Sequence, residues 1–218
     1  TSAAQEIHAF NPQAKILIML RNPIEMAYAL YYQQRKTGIE DLPTFEEALA
    51  AEPSRREGNR LTSRTYIAES LCYSYIASYY DHVVRYVDVF GWDNLKIILF
   101  DDFKDDVEIV YRDVLTFLGL EFDHRQDFAI INKNAEPRSI MLRDFLTNPP
   151  ESVLIAGRSL LPIARPIYRV LRLLNSQASE RPPMNPDTAR QLCTTLRADV
   201  QRIENLLEQD LSHWCQPP

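Results

Sequence analysis

The sequence predicts an α/β fold, a parallel sheet flanked by helices and followed by a helix-rich C-terminal half. Three observations carry this expectation. Two short apolar runs, KILIML at 15–20 and LKIILF at 95–100, read as buried strands. Helical patterns separate and follow them, giving the order strand–helix–strand–helix with helical crossovers. From residue 137 onward the pattern is mostly helical.

The first run is almost wholly apolar and suits a strand buried on both faces. A helix follows it. Asn22 can cap, Pro23 fits the first helical position, and Glu25 stands three after the cap. This helix is expected to run to about Lys36 and stop before Gly38. Residues 43–51 read as a short helix, and 52–64, polar with Pro53 and Gly58, as a surface loop. Residues 65–90 form one long helical pattern, with Ile76, Tyr80, Val83, Val87 and Phe90 on an apolar face and Gly91 as the break. After the second strand come Asp101 and Asp102, then a helix over 106–118 ending at Gly119. In the last helix Leu192, Leu196, Val200, Ile203, Leu207, Leu211 and Trp214 form a stripe, with Asn185 and Pro186 as start signals. This helix is expected to pack across a single domain spanning 1–218.

Composition narrows the function classes. The 218 residues suffice for a sizeable core, with 45% apolar and 25% charged residues. The formal net charge of −6 argues against broad nucleic-acid binding. Cys72, Cys193 and Cys215 lack metal-ligand spacing and fit a reducing compartment, so the expected location is cytoplasmic. No signal peptide is visible in residues 1–14, and no run of about 18 apolar residues marks a membrane span. No metal-ligand cluster is recognisable, and no metal is expected.

The junction between the first strand and its helix reads as an anion site. The helix start carries the positive end of the helix dipole and exposes unpaired N–H groups. Arg21, at the strand's carboxyl end, can add a bidentate guanidinium contact. The competing reading pairs Arg21 with Glu25, or with Asp101 or Asp102.

Five blocks then resemble sulfotransferases that use 3′-phosphoadenosine 5′-phosphosulfate (PAPS), of the bacterial and heparan-type branch. They are PQAKILIMLRNPIEMAYALYY at 12–32, YYDHVVRYVDVFGWDNLKIILFDDF at 79–103, VYRDVLTFLGLEF at 110–122, NKNAEPRS at 132–139 and the tail at 184–214. The resemblance implies a P-loop-like sheet. It also implies transfer of a sulfuryl group from PAPS to a hydroxyl or amine of a small-molecule or glycan acceptor. Arg21 matches the arginine that holds the 3′-phosphate, and Pro23, Ala27 and Tyr28 match the same segment. Met26 stands where the family has a second arginine, and Ala29 where it has a serine. Lys133 and Arg138 lie where family members return a segment over the nucleotide. The family's first strand and its lysine loop for the 5′-phosphosulfate are not found in residues 1–14, which contain no lysine. The fold is therefore expected to lack its N-terminal strand and loop here, either as a fragment or as a degenerate homologue. The chain alone is expected to be inactive. No residue is assigned as the catalytic base, and His8 reads as a surface or packing histidine.

The alternative is a non-catalytic sulfotransferase-like binding or scaffold protein. A P-loop kinase is a third option, but G-x-x-x-x-G-K-[ST] is absent from the sequence. Residues 153–174 combine an apolar pattern with Arg158, Arg165, Arg169 and Arg172, and no acid. Three readings stand for this stretch: a helical pair broken at Pro162 and Pro166, a basic lid or acceptor wall, or a contact with anionic membrane. Membrane contact is the least favoured of the three.

Overall fold

A computed structural model describes residues 2–125, 127–129, 135–147, 161–178 and 181–216. The chain opens with α1 (Ala3–Phe10), β1 (Ile16–Leu20), α2 (Pro23–Thr37) and α3 (Phe45–Arg56). A 3₁₀ turn at Ala68–Leu71 leads to α4 (Tyr73–Ala77) and α5 (Tyr80–Phe90). Then follow β2 (Leu95–Leu99), α6 (Phe100–Asp105) and α7 (Val107–Leu118). The remainder is β3 (Ala135–Pro137), α8 (Ile140–Thr147), α9 (Leu161–Leu174), β4 (Ser176–Ala178), α10 (Pro186–Leu207) and a 3₁₀ turn at Ser212–Cys215. The fold is thus mostly helical α/β around a small sheet. No helix among the described residues is long and apolar enough to cross a membrane.

β1 and β2 pair in parallel, with Ile16 beside Leu95 and Leu20 beside Leu99. Ile18, Leu20, Ile97 and Leu99 join an apolar cluster with Val83 of α5, Val200 and Ile203 of α10, Leu211 and Trp214. On the other side, α7 reaches the sheet where its Asp113 pairs with Lys96. The expectation that β1 is buried on both faces needs correction. Leu17 and Met19 are 41% and 49% exposed. Among the described residues only β2 pairs with β1, so its outer edge borders an open apolar groove.

α2 forms where its signals place it. Its end is fixed by Gly38, whose φ of +76° is a left-handed conformation that costs glycine little. α1 was not anticipated, yet Ser2 and Gln5 form a reciprocal capping box at its start. It packs on α5, with His8 edge-on to Phe90 at 5.5 Å.

Two helical boundaries differ from expectation for physical reasons. α3 continues through Arg56, so the first part of the predicted 52–64 loop is helix. It continues because Arg55 and Glu52 are buried, not solvated. Arg55 donates to Glu40 Oε1 at 2.7 Å and to the Leu71 carbonyl at 3.0 Å. Glu40 also accepts from the Tyr73 hydroxyl and from the Asp41 and Leu42 N–H groups. The long 65–90 pattern breaks at Ser78–Tyr79. There Asp199 of α10 accepts from the N–H groups of Tyr79 (2.7 Å) and Tyr80 (3.3 Å), capping α5 from across the fold.

α10 ties two apolar clusters together. Leu192, Cys193 and Leu196 pack with α2, α3 and α4, while Val200 and Ile203 pack with the sheet and α5. Residues 161–174 form a continuous helix rather than one broken at Pro162 and Pro166. A small antiparallel pair, β3 with β4, was not foreseen in the C-terminal half.

Burial disfavours the charge on Glu40, but hydrogen bonds from Arg55, the Leu42 N–H and Tyr73 outweigh it and lower its pKa. Glu40 therefore contributes stability above the ordinary carboxylate value of roughly 4.3, and that contribution is lost as pH falls through the lower folded value. Arg55→Met should lower the unfolding free energy by about 3–5 kcal/mol, because it leaves Glu40 buried without its cation. The double variant Glu40→Leu/Arg55→Met should cost less than Arg55→Met alone, as urea denaturation followed by circular dichroism will show.

Candidate functional site

Both strands of the parallel sheet end at the same edge, and the chain leaves that edge through polar residues. β1 passes into Arg21 and β2 into Phe100 and Asp101. Arg21 and Asp101 line a cavity of about 590 Å³ together with the first turn of α2, Lys104 of α6, residues 181–184, and His213 and Gln216 near the C-terminal turn. Such a position, outside the carboxyl ends of parallel strands, is the usual place for a ligand in open α/β sheets.

The helix start contributes differently from expectation. Its first-turn N–H groups are not free. Pro23 has none, and Asn22 Oδ1 accepts from Ile24 (3.0 Å) and Glu25 (3.3 Å). The Met26 N–H already donates to the Asn22 carbonyl at 2.9 Å. What remains for an anion is the helix dipole and the side-chain cations around it.

Of the two roles that its sequence position suggested, Arg21 shows the ion pair. It pairs with Glu25 at 2.7 Å, one turn along α2. Its guanidinium also lies over the Phe100 ring at 5.0 Å. Its Nε is buried without a hydrogen-bond partner among the described residues. Lys104 approaches the same ring at 5.4 Å, so Phe100 is flanked by two cations.

Arg181 completes the cationic set. Its guanidinium lies over the rings of Tyr28 and Tyr32, at 5.7 and 5.5 Å. Burial disfavours its charge, and the neighbouring Arg21 adds repulsion, so its pKa falls below the usual range. Among the described residues no carboxylate pairs with it. The Tyr28 hydroxyl donates to the Pro182 carbonyl at 3.1 Å, which seats residues 181–184 over α2. Two guanidinium groups thus face one cavity, with Glu25 as the carboxylate between them that is paired to Arg21.

Asp101 organises the other wall. It pairs with Lys104 at 2.8 Å, accepts from the Trp214 indole N–H at 3.0 Å, and lies 3.3 Å from His213 Nε2. Burial would raise its pKa, but these hydrogen bonds, Lys104 first, hold it down to about 2.

The other sequence candidates fall elsewhere. Arg138 is exposed and does not line the cavity, and its backbone N–H donates to the Asn175 carbonyl at 2.7 Å. Lys133 lies outside the described residues. Met26 is partly buried against the core. Lys104 and Arg181 were missed because neither belongs to a motif, and only tertiary packing brings them to Arg21. Among the described residues no group of three or more His, Cys, Asp or Glu is placed to hold a metal.

The geometry defines the class first: an α/β protein with a cavity lined by Arg21, Lys104 and Arg181 at the carboxyl edge of its parallel strands. A family model described as the sulfotransferase domain matches residues 4–139, and the chain belongs to that family. It is similar to the crystal structure of a sulfotransferase from Alicyclobacillus acidocaldarius, with 29% sequence identity and a TM-score of 0.65. That likeness covers 98% of this chain and 62% of the other, so the chain spans less than two thirds of its solved relative. A comparison with curated proteins gives no match.

Asp101 stabilises the folded chain above its unfolded value of roughly 3.9, and this contribution disappears as pH falls toward the folded value. In Asp101→Asn the part of the acid-unfolding slope between those two values should flatten, as thermal melts across that pH range will show.

Proposed function

We propose that this chain binds the 3′-phosphate end of PAPS and belongs to an enzyme that moves a sulfuryl group to a hydroxyl or amine. The acceptor is a small molecule or a glycan. The observation that carries the reading is the convergence of Arg21, Lys104 and Arg181 on one cavity, with Arg21 Nε unpartnered and Arg181 in no ion pair among the described residues. These residues fit a phosphate monoester, which takes several charged donors at once. The nucleotide, when bound, supplies a sulfuryl group already attached to a phosphate leaving group.

Each residue then has a task. Arg21 donates to the phosphate oxygens, and the Phe100 face keeps its guanidinium in place. Arg181 closes over the same anion, positioned by Tyr28 and Tyr32. Asp101 keeps Lys104 charged and directed to the cavity wall. Preorganised donors of this kind need no rearrangement when the anion arrives.

A second reading, a sulfotransferase-like protein that binds without catalysing, is favoured by Ala29. This position offers no hydroxyl where the family resemblance places a serine.

Calorimetric titration with 3′-phosphoadenosine 5′-phosphate tests the proposal. The unaltered chain should bind, and Arg21→Ala and Arg181→Ala should each weaken binding roughly 10–150-fold, the equivalent of about 1.5–3 kcal/mol for a charged hydrogen bond. Ala29→Ser should tighten it. No binding by the unaltered chain, or binding by both arginine variants as tight as that of the unaltered chain, would overturn the proposal.

A further inference from the structure

Two cysteines far apart in sequence meet beside the cavity. Cys193 is buried on α10, and Cys215 closes the 3₁₀ turn Ser212–Cys215. Cys193 Sγ lies 2.8 Å from the Cys215 carbonyl, and Cys215 Sγ lies 3.9 Å from the Cys193 carbonyl. Each thiol thus reaches the other residue's backbone, which sets the two residues side by side. Arg197, one turn further along α10, donates to Cys193 Sγ at 3.5 Å. The third cysteine, Cys72, is fully buried, and its thiol faces the Ala68 carbonyl at 3.7 Å.

We propose that Cys193 and Cys215 form a reversible disulfide that clamps the C-terminal turn, and with it one wall of the anion cavity, onto α10. The turn carries His213 and Trp214, which both hold Asp101, and Asp101 in turn holds Lys104. Cys215 packs against both apolar clusters, so a bridge there fixes the turn at the place where they meet.

A small-molecule disulfide serves as oxidant. The Cys215 thiolate attacks one of its sulfurs, the reagent's S–S bond breaks, and one half leaves as a thiolate that takes up a proton. The Cys193 thiolate then attacks the Cys215 sulfur of the mixed disulfide and displaces the second half. In sum, two protein thiols lose two electrons and two protons, and the reagent gains both as two free thiols. A dithiol reductant reverses the exchange. Burial, with Cys193 adding to it, pushes the Cys215 thiol up to about 11, so the exchange is run at mildly alkaline pH.

The test incubates the full chain with oxidised glutathione, then maps peptides by mass spectrometry and follows amide exchange. A Cys193–Cys215 linked peptide should appear, with Cys72 free, and dithiothreitol should remove it. Exchange at 211–216 should slow, and Tm should rise by roughly 6–12 °C, as expected for a bridge closing a loop of about twenty residues. Cys215→Ser should show neither change. Should that variant not fold, the oxidised and reduced forms of the unaltered chain still decide the matter. A stable glutathione adduct on Cys215, a bridge to Cys72, or a linked peptide with unchanged exchange would overturn the proposal. All of these are read without nucleotide, so they stand apart from the outcome of the sulfotransferase titration.

Discussion

The parallel register of β1 and β2 is the constraint on which the cavity depends. Leu20 lies beside Leu99, so the next residues of both strands emerge together. Arg21 then meets the Phe100 ring, and Lys104 reaches it from α6. An antiparallel pairing would place these groups at opposite ends of a five-residue strand, about 16 Å apart. A one-residue slip would turn Leu20 and Leu99 out of the apolar cluster that fixes them.

The cavity is an assembly of oppositely charged pairs rather than a basic patch. Glu25 pairs with Arg21, and Asp101 with Lys104, while Arg181 lies on two tyrosine rings. The pairing places the cations in fixed positions and limits their mutual repulsion. It also reconciles the proposed anion site with a chain of net charge −6. The exposed Arg21–Glu25 pair contributes little stability by itself, so an incoming anion can compete with Glu25 at small cost. By contrast, the Arg55–Glu40 pair is sealed from water and serves the fold alone.

α10 does for the C-terminal half what the strand register does for the sheet. Its apolar stripe joins both clusters, its Asp199 caps α5, and the turn that follows brings Trp214 and His213 to Asp101. The stripe was visible in sequence because Leu192, Leu196, Val200, Ile203 and Leu207 recur at helical spacing; Leu211 and Trp214, expected on the same helix, instead follow its end at Leu207, where Glu208 turns left-handed. The cap was not, since Asp199 stands about 120 residues from the backbone groups it serves. The same limit hid the buried Arg55, which sits in a charged segment that reads as solvated until Glu40 and Leu71 are folded around it.

What the sequence determined by itself is local. Apolar runs gave the two strands. Asn22, Pro23 and Gly38 bounded α2, and Asn185 with Pro186 began α10, because caps and turn conformations act within a few residues. The position of Arg21 at the end of a strand followed from the same local signals. Tertiary structure decided the rest. It used up the N–H groups at the start of α2, left one face of β1 open, broke the helix at Tyr79, and chose Lys104 and Arg181 as companions of Arg21. The physical reason is that charge and burial act through space, and those partners become neighbours only when the parallel strands and α10 have packed.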